Sequence, residues 1–176
     1  MLFKLLNACR VYHSQRAYYY IFNSSKTEIW SGTSWSEVND TNVAKKAPGG
    51  TAANSDAALG FGGETPAESS TAKTELWNGY VWTEVNDLNT AGYGLAASGT
   101  TTAALAFGRN PPATQAVTED WNGASWVEVA DLNAGRNALA GAGTTTASLA
   151  FGGTPPVAGA TEEWSVPSNT IKVLTD

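Results

Sequence analysis

The chain has 176 residues, of which 42% are hydrophobic, only 15% are charged and seven are tryptophan. That length can bury one core, and the aromatic content excludes a disordered chain. A net charge of −6 and an isoelectric point near 4.7 speak against general nucleic-acid binding, which calls for a basic face. Cys9 is the sole cysteine, so no intrachain disulfide is available.

Residues 1–26 match no later stretch and hold four of the ten basic residues, Lys4, Arg10, Arg16 and Lys26. Leu5–Tyr12 and Ala17–Phe22 read as strands separated by a polar break at 13–16, with a helix over Leu2–Tyr12 as the alternative. Lys4 interrupts the opening apolar run. The run is too short for a signal peptide or a membrane span, so no membrane insertion is expected.

A period begins at residue 27. T-E-I-W-S-G-T-S-W-S-E-V at Thr27–Val38 returns as T-E-L-W-N-G-Y-V-W-T-E-V at Thr74–Val85 and as T-E-D-W-N-G-A-S-W-V-E-V at Thr118–Val129. A decayed copy starts at Thr161, with Asn169 in the place of its second Trp. The leading Trp of each copy, Trp30, Trp77, Trp121 and Trp164, is spaced by 47, 44 and 43 residues. Leu-x-Phe-Gly recurs at 59–62, 105–108 and 149–152, and Gly-Thr-Thr-Thr at 99–102 and 143–146. Several landmarks in one fixed order establish a repeat.

Each period reads as four short strands. In the last full period, 137–143 and 146–151 are strands joined by a Gly-Thr turn. Gly152-Gly153 ends the second, because glycine accepts the positive φ of a sharp exit. Pro155-Pro156 marks a loop. Ala160–Trp164 is the third strand. In the fuller copies an Asn-Gly turn leads to the fourth, with the two Trp as a cross-strand pair. Helical spacing is absent. The tail Thr170–Leu174 supplies the last outer strand.

Four antiparallel strands in about 44 residues is the signature of a propeller blade. The expected fold is all-β, a β-propeller of four-stranded blades. Blades fall at 45–85, 92–129 and 136–174, and a degenerate first blade uses the divergent segment 1–26 together with 27–38. With residues 27–176 as the repeats, head and repeats form one domain if the ring closes. An open arc completed as a homo-oligomer, or a member of a longer array, is the alternative.

These residues resemble the kelch repeat. The Gly-Gly pair stands at Gly62-Gly63 and Gly152-Gly153. The third-strand aromatics are Trp30, Trp77, Trp121 and Trp164, and the fourth-strand Trp are Trp35, Trp82 and Trp126. The Arg that opens the first strand is Arg136. The second copy departs from the pattern, with Gly108-Arg109 for the pair and Gly92 in the Arg slot; the first has Lys45 there. The T-E-x-W-N-G-x-x-W wording resembles kelch-like repeats of phage virion and tail proteins. The resemblance implies a virion-associated or extracellular binding or assembly module, and no reaction by itself.

The residue types for chemistry are sparse. One His and one Cys, His13 and Cys9, leave no zinc or copper ligand set and no Ser-His-Asp arrangement, so no metal, cofactor or catalytic residue is expected. The Asp-x-Asn triples Asp40/Asn42, Asp87/Asn89 and Asp131/Asn133 offer calcium-type oxygens, but they read as turn devices on separate blades. Glu28, Glu75, Glu119 and Glu162, like Glu37, Glu84 and Glu128, read as solvent-facing strand positions. The Trp pairs read as blade core.

Variable loops after the second and fourth strands would emerge on one face, the usual place for specificity. Arg109, Asn110, Tyr93 and Arg136 are the candidate contacts there. The expected partner is a surface glycan or protein, bound without turnover. A secreted carbohydrate-active enzyme, or a piece of a longer repeat protein, is the alternative.

Overall fold

The computed structural model describes residues 9–10, 19–20, 23–154, 160–165 and 170–174. The described residues hold sixteen strands and no helix. Three complete four-stranded antiparallel sheets follow one another along the chain. The first has β5 (Gly49–Asn54), β6 (Ala57–Phe61), β7 (Thr74–Trp77) and β8 (Trp82–Val85) in sequential order. The next has β9 (Ala96–Gly99), β10 (Ala104–Arg109), β11 (Gln115–Trp121) and β12 (Trp126–Glu128), and the last has β13 (Ala140–Gly143), β14 (Ala147–Phe151), β15 (Thr161–Ser165) and β16 (Thr170–Leu174). These are the expected repeats, and the tail does supply the outermost strand.

Two hairpins precede them. β3 (Thr27–Trp30) pairs with β4 (Trp35–Val38), and β1 (Cys9–Arg10) pairs with β2 (Tyr19–Tyr20). Among the described residues no ladder joins β2 to β3, and each hairpin forms its own two-stranded sheet. The remainder of the expected strands Leu5–Tyr12 and Ala17–Phe22, the helix alternative, the Pro155-Pro156 loop and Asn169 lie outside the described residues.

Local chemistry explains the meander. In the third-to-fourth-strand turns, Asn78 and Asn122 each accept two backbone N–H bonds through Oδ1, from Tyr80 and Val81 and from Ala124 and Ser125. The glycine after each Asn takes φ +93, in the left-handed region that costs a side-chain-bearing residue energy. The turn sets the two Trp directly opposite one another, at Trp30–Trp35, Trp77–Trp82 and Trp121–Trp126. Their rings lie 5.4, 5.6 and 5.3 Å apart and are tilted by 44–47°. The third-strand Trp also stitches its own sheet together. The indole N–H groups of Trp77, Trp121 and Trp164 donate to Ser55, Thr101 and Thr145 in the first-to-second-strand turn.

The core lies between sheets. The fourth-strand Trp reaches back to the preceding sheet. Trp82 donates to Thr27 Oγ1 and Trp126 to Thr74 Oγ1, at 3.0 and 3.1 Å. Trp126 also packs edge-on against Phe61, 4.9 Å between centroids. The aromatic motif is thus inter-sheet packing as well as intra-sheet core. Leu88 and Leu132, just beyond their fourth strands, are buried in these seams. The first strands β5, β9 and β13 lie side by side, so the three sheets radiate from one crowded line. Gly141 permits that crowding: a Cβ there would stand 2.5 Å from the Ala97 carbonyl oxygen and 2.6 Å from Phe107.

Candidate functional site

The segments entering the first strands and those leaving the second strands meet at one end of the row of sheets. Lys46 exchanges backbone hydrogen bonds with Glu64, Tyr93 with Asn110, and Asn137 with Thr154. The entry segments are also joined to each other. Gly94 N–H donates to the Ala47 carbonyl and Ala138 N–H to the Gly94 carbonyl, both at 2.8 Å. A backbone chain therefore crosses three sheets at this end, which is the loop face expected from the strand count.

Two of the four candidate contacts remain on that face. Tyr93 and Asn110 form an isolated bridge, and Asn110 Nδ2 donates to the Tyr93 hydroxyl at 3.0 Å. Both are half-buried, and Gln115 Nε2 closes the same loop through the Pro111 carbonyl. They form a hydrogen-bonded, partly exposed polar patch.

The other two candidates require correction. Arg109 and Arg136 are fully buried, with 0% exposure, and cannot be loop-surface contacts. Each faces a third-strand glutamate that is itself buried. Arg109 Nη1 donates to Glu119 Oε1 at 2.7 Å, and Arg136 Nη2 to Glu162 Oε1 at 2.6 Å. Lys45 Nζ lies 3.1 Å from Glu75 Oε2 in the remaining sheet. Glu75, Glu119 and Glu162 are therefore not solvent-facing, because each has a cation in the interior to neutralise it. Glu37, Glu84 and Glu128 are exposed, as expected.

The Asp-x-Asn triples complete the same units. Asn42 donates its backbone N–H and Nδ2 to Glu75 Oε1 at 2.6 and 2.8 Å. Asn89 does so to Glu119 Oε2, and Asn133 to Glu162 Oε2, each at 2.7 and 3.1 Å. Each Asn follows the fourth strand of the preceding sheet, so these bonds span the seam. The Asp of the triple works within its own sheet: Asp87 and Asp131 accept the Thr74 and Thr118 backbone N–H groups. The triples are straps between sheets rather than simple turns. Among the described residues, no group of three or more His, Cys, Asp or Glu stands close enough to hold a metal ion.

The middle sheet solves the cation problem from the other side. Its first-strand slot is Gly92, and its cation comes from Arg109 at the end of the second strand. A Cβ on Gly92 would fall 2.8 Å from Arg109 Cβ. In the sheets on either side, the glycine stands at the second-strand end: a Cβ on Gly63 would meet Lys45 Cβ at 3.2 Å, and one on Gly153 would meet Arg136 Cβ at 3.5 Å. The two backbone positions share space for one long cation.

Chemically, Glu119 and Glu162 have their oxygens engaged by amide donors and a hydrogen-bonded arginine. Glu75 accepts the Asn42 donors on Oε1 and faces Lys45 across Oε2 as an ion pair without a hydrogen bond. Such a group holds strands together and is poorly placed to shuttle protons. Elsewhere, burial pushes the Asp120 carboxyl above its ordinary value, on a strand position that holds Leu76 in the preceding sheet.

No protein-family model and no curated protein matches the chain. A solved structure described as "Structure of YjhT" is similar to it, with a TM-score of 0.67 at 13% sequence identity. The match covers 85% of this chain and 51% of that one, so this chain spans about half the length of the structure it matches. That likeness concerns the fold alone.

Proposed function

We propose that the sheets are kelch-like propeller blades and that the chain is a non-enzymatic binding or assembly module. The observation that carries this reading is the division of labour along each repeat. The recurrent charged residues, Glu75, Glu119 and Glu162 with Lys45, Arg109 and Arg136, are consumed in buried pairs between strands. What varies from repeat to repeat is the loop end, where Tyr93 and Asn110 present a fixed polar patch. Rigid blades with variable loops suit recognition of a surface through several weak contacts made at once. A glycan or protein surface is the partner class, and the repeat wording favours a virion- or tail-associated setting outside the cell. Among the described residues no helix is long and apolar enough to cross a membrane.

The test is a glycan-array and surface-binding screen with the intact chain and with Asn110→Ala. Binding to a polysaccharide or surface protein that weakens several-fold in the variant supports the reading. Turnover of a bound glycan would replace it with the carbohydrate-active alternative.

A further inference from the structure

The turns between third and fourth strands carry a chemistry of their own. The sequence has two Asn-Gly steps, Asn78-Gly79 and Asn122-Gly123, and both asparagines are exposed. Glycine leaves the next backbone nitrogen unshielded by a Cβ, so it can reach the asparagine side chain. The Gly79 nitrogen attacks Asn78 Cγ and gives up its proton. A new N–Cγ bond forms, the Cγ–Nδ2 bond breaks, and ammonia leaves with that proton. Water then opens the five-membered imide at either carbonyl, giving aspartate or isoaspartate. The same steps apply at Asn122.

The folded turn opposes the first of these steps. Asn78 Oδ1 is held by the Tyr80 and Val81 N–H groups, both at 3.0 Å, and Asn122 Oδ1 by those of Ala124 and Ser125, both at 2.9 Å. Ring closure swings Cγ onto the nitrogen of the next residue and draws the oxygen away from N–H groups two and three residues on. Each turn is also gripped from the preceding sheet. Asn39, just past β4, donates Nδ2 to the Tyr80 carbonyl at 2.7 Å, and Asn86, just past β8, donates to the Ala124 carbonyl at 2.8 Å. The first hairpin makes the same turn with Ser31-Gly32. Ser31 Oγ accepts the Thr33 and Ser34 N–H groups at 3.4 and 3.1 Å and has no amide to lose.

We propose that Asn78 and Asn122 are sites of self-modification that the fold holds closed, each restrained by the asparagine of the preceding sheet. Deamidation then follows opening of the turn rather than exposure of the side chain. Isoaspartate adds a methylene to the main chain between Trp77 and Trp82, or between Trp121 and Trp126, which stand directly opposite one another. The aromatic pair loses its register, so a chain modified while open does not return to the native seam. The inference rests on the turns and their straps, and on neither the blade reading nor any ligand.

The experiment incubates the full chain in mildly alkaline buffer with and without urea and follows each site by peptide mass mapping with isoaspartate detection. Both sites convert in urea, and both convert at least about tenfold more slowly in the folded chain. Asn39 and Asn86 are exposed, so their alanine variants fold, as circular dichroism checks. Asn39→Ala speeds conversion at Asn78 several-fold and leaves Asn122 unchanged, and Asn86→Ala does the reverse. Asn78→Ser combined with Asn122→Ser copies the Ser31 turn and refolds fully after an incubation in urea that leaves part of the parent chain unable to refold. Equal rates in folded and unfolded chains overturn the inference. So do strap variants that leave both rates alone or raise both equally, and a double serine variant that loses refolding as the parent does.

Discussion

The middle sheet and its two neighbours bury the same charge pair by opposite routes. In the neighbours the cation rises from the entry to the first strand, as Lys45 or Arg136, and glycine stands across from it. In the middle sheet Arg109 descends from the second strand and Gly92 makes room. The difference shows that the fold requires a cation beside each buried third-strand glutamate and is indifferent to which strand supplies it. A buried carboxylate without a counter-ion is costly, and two long cations in the same space are excluded by volume.

Removing the cation tests the requirement most severely. Arg109→Met leaves Glu119 buried and uncompensated and is expected to cost about 3–5 kcal/mol in urea unfolding. Trp126→Ala empties the seam that the pair borders and is expected to cost a similar 3–5 kcal/mol. Trp126→Phe keeps a ring but loses the bond to Thr74, at about 1 kcal/mol. If Trp126→Phe matches Trp126→Ala, the indole bond and not packing governs the seam.

Smaller effects sharpen the contrast at the entry segments. The middle sheet has Gly94 at φ +69, where its neighbours hold Ala47 at +48 and Ala138 at +52. Ala138→Gly relieves a left-handed alanine and is expected to gain about 0.5 kcal/mol by thermal unfolding, net of glycine's entropy. Least of all, Asp120→Asn should stabilise the chain slightly at neutral pH. A carboxyl whose folded pKa is raised holds its proton more tightly when folded, so stability falls as pH rises from the ordinary aspartate value through the raised one. The variant's advantage should therefore vanish below the ordinary value, as a pH series of melting curves would show.

Turns and strands were legible in the sequence because their causes are local: Asn-Gly, Gly-Gly, and a Trp at each end of a four-residue loop. The last outer strand was legible at Thr170–Leu174 even without its Trp. The glutamates were not, because burial at a seam depends on a neighbouring sheet some 30 residues away in the chain, as with Asn89 and Glu119. A signal was present nonetheless. Third- and fourth-strand glutamates stand directly opposite, Glu75 to Glu84 and Glu119 to Glu128, a like-charge pairing that is unfavourable unless one is neutralised elsewhere. The exchange of Gly92 and Arg109 against Lys45 and Gly63 also stood in the repeat alignment, where it read as a surface substitution. Tyr93 and Asn110, picked out at the strand entry and at the departure from the Gly-Gly pair, are brought together in one bridge.

The central claim is that one cation per glutamate is required and its backbone origin is interchangeable. The direct measurement is the unfolding free energy of Gly92→Arg, Arg109→Gly and the double variant. Each single change should cost about 3 kcal/mol or more, the first by overpacking and the second by stranding Glu119. The double variant rebuilds the arrangement of Arg136 and Gly153 and should return to within about 1 kcal/mol of the parent. A double variant no more stable than Arg109→Gly alone would contradict the account.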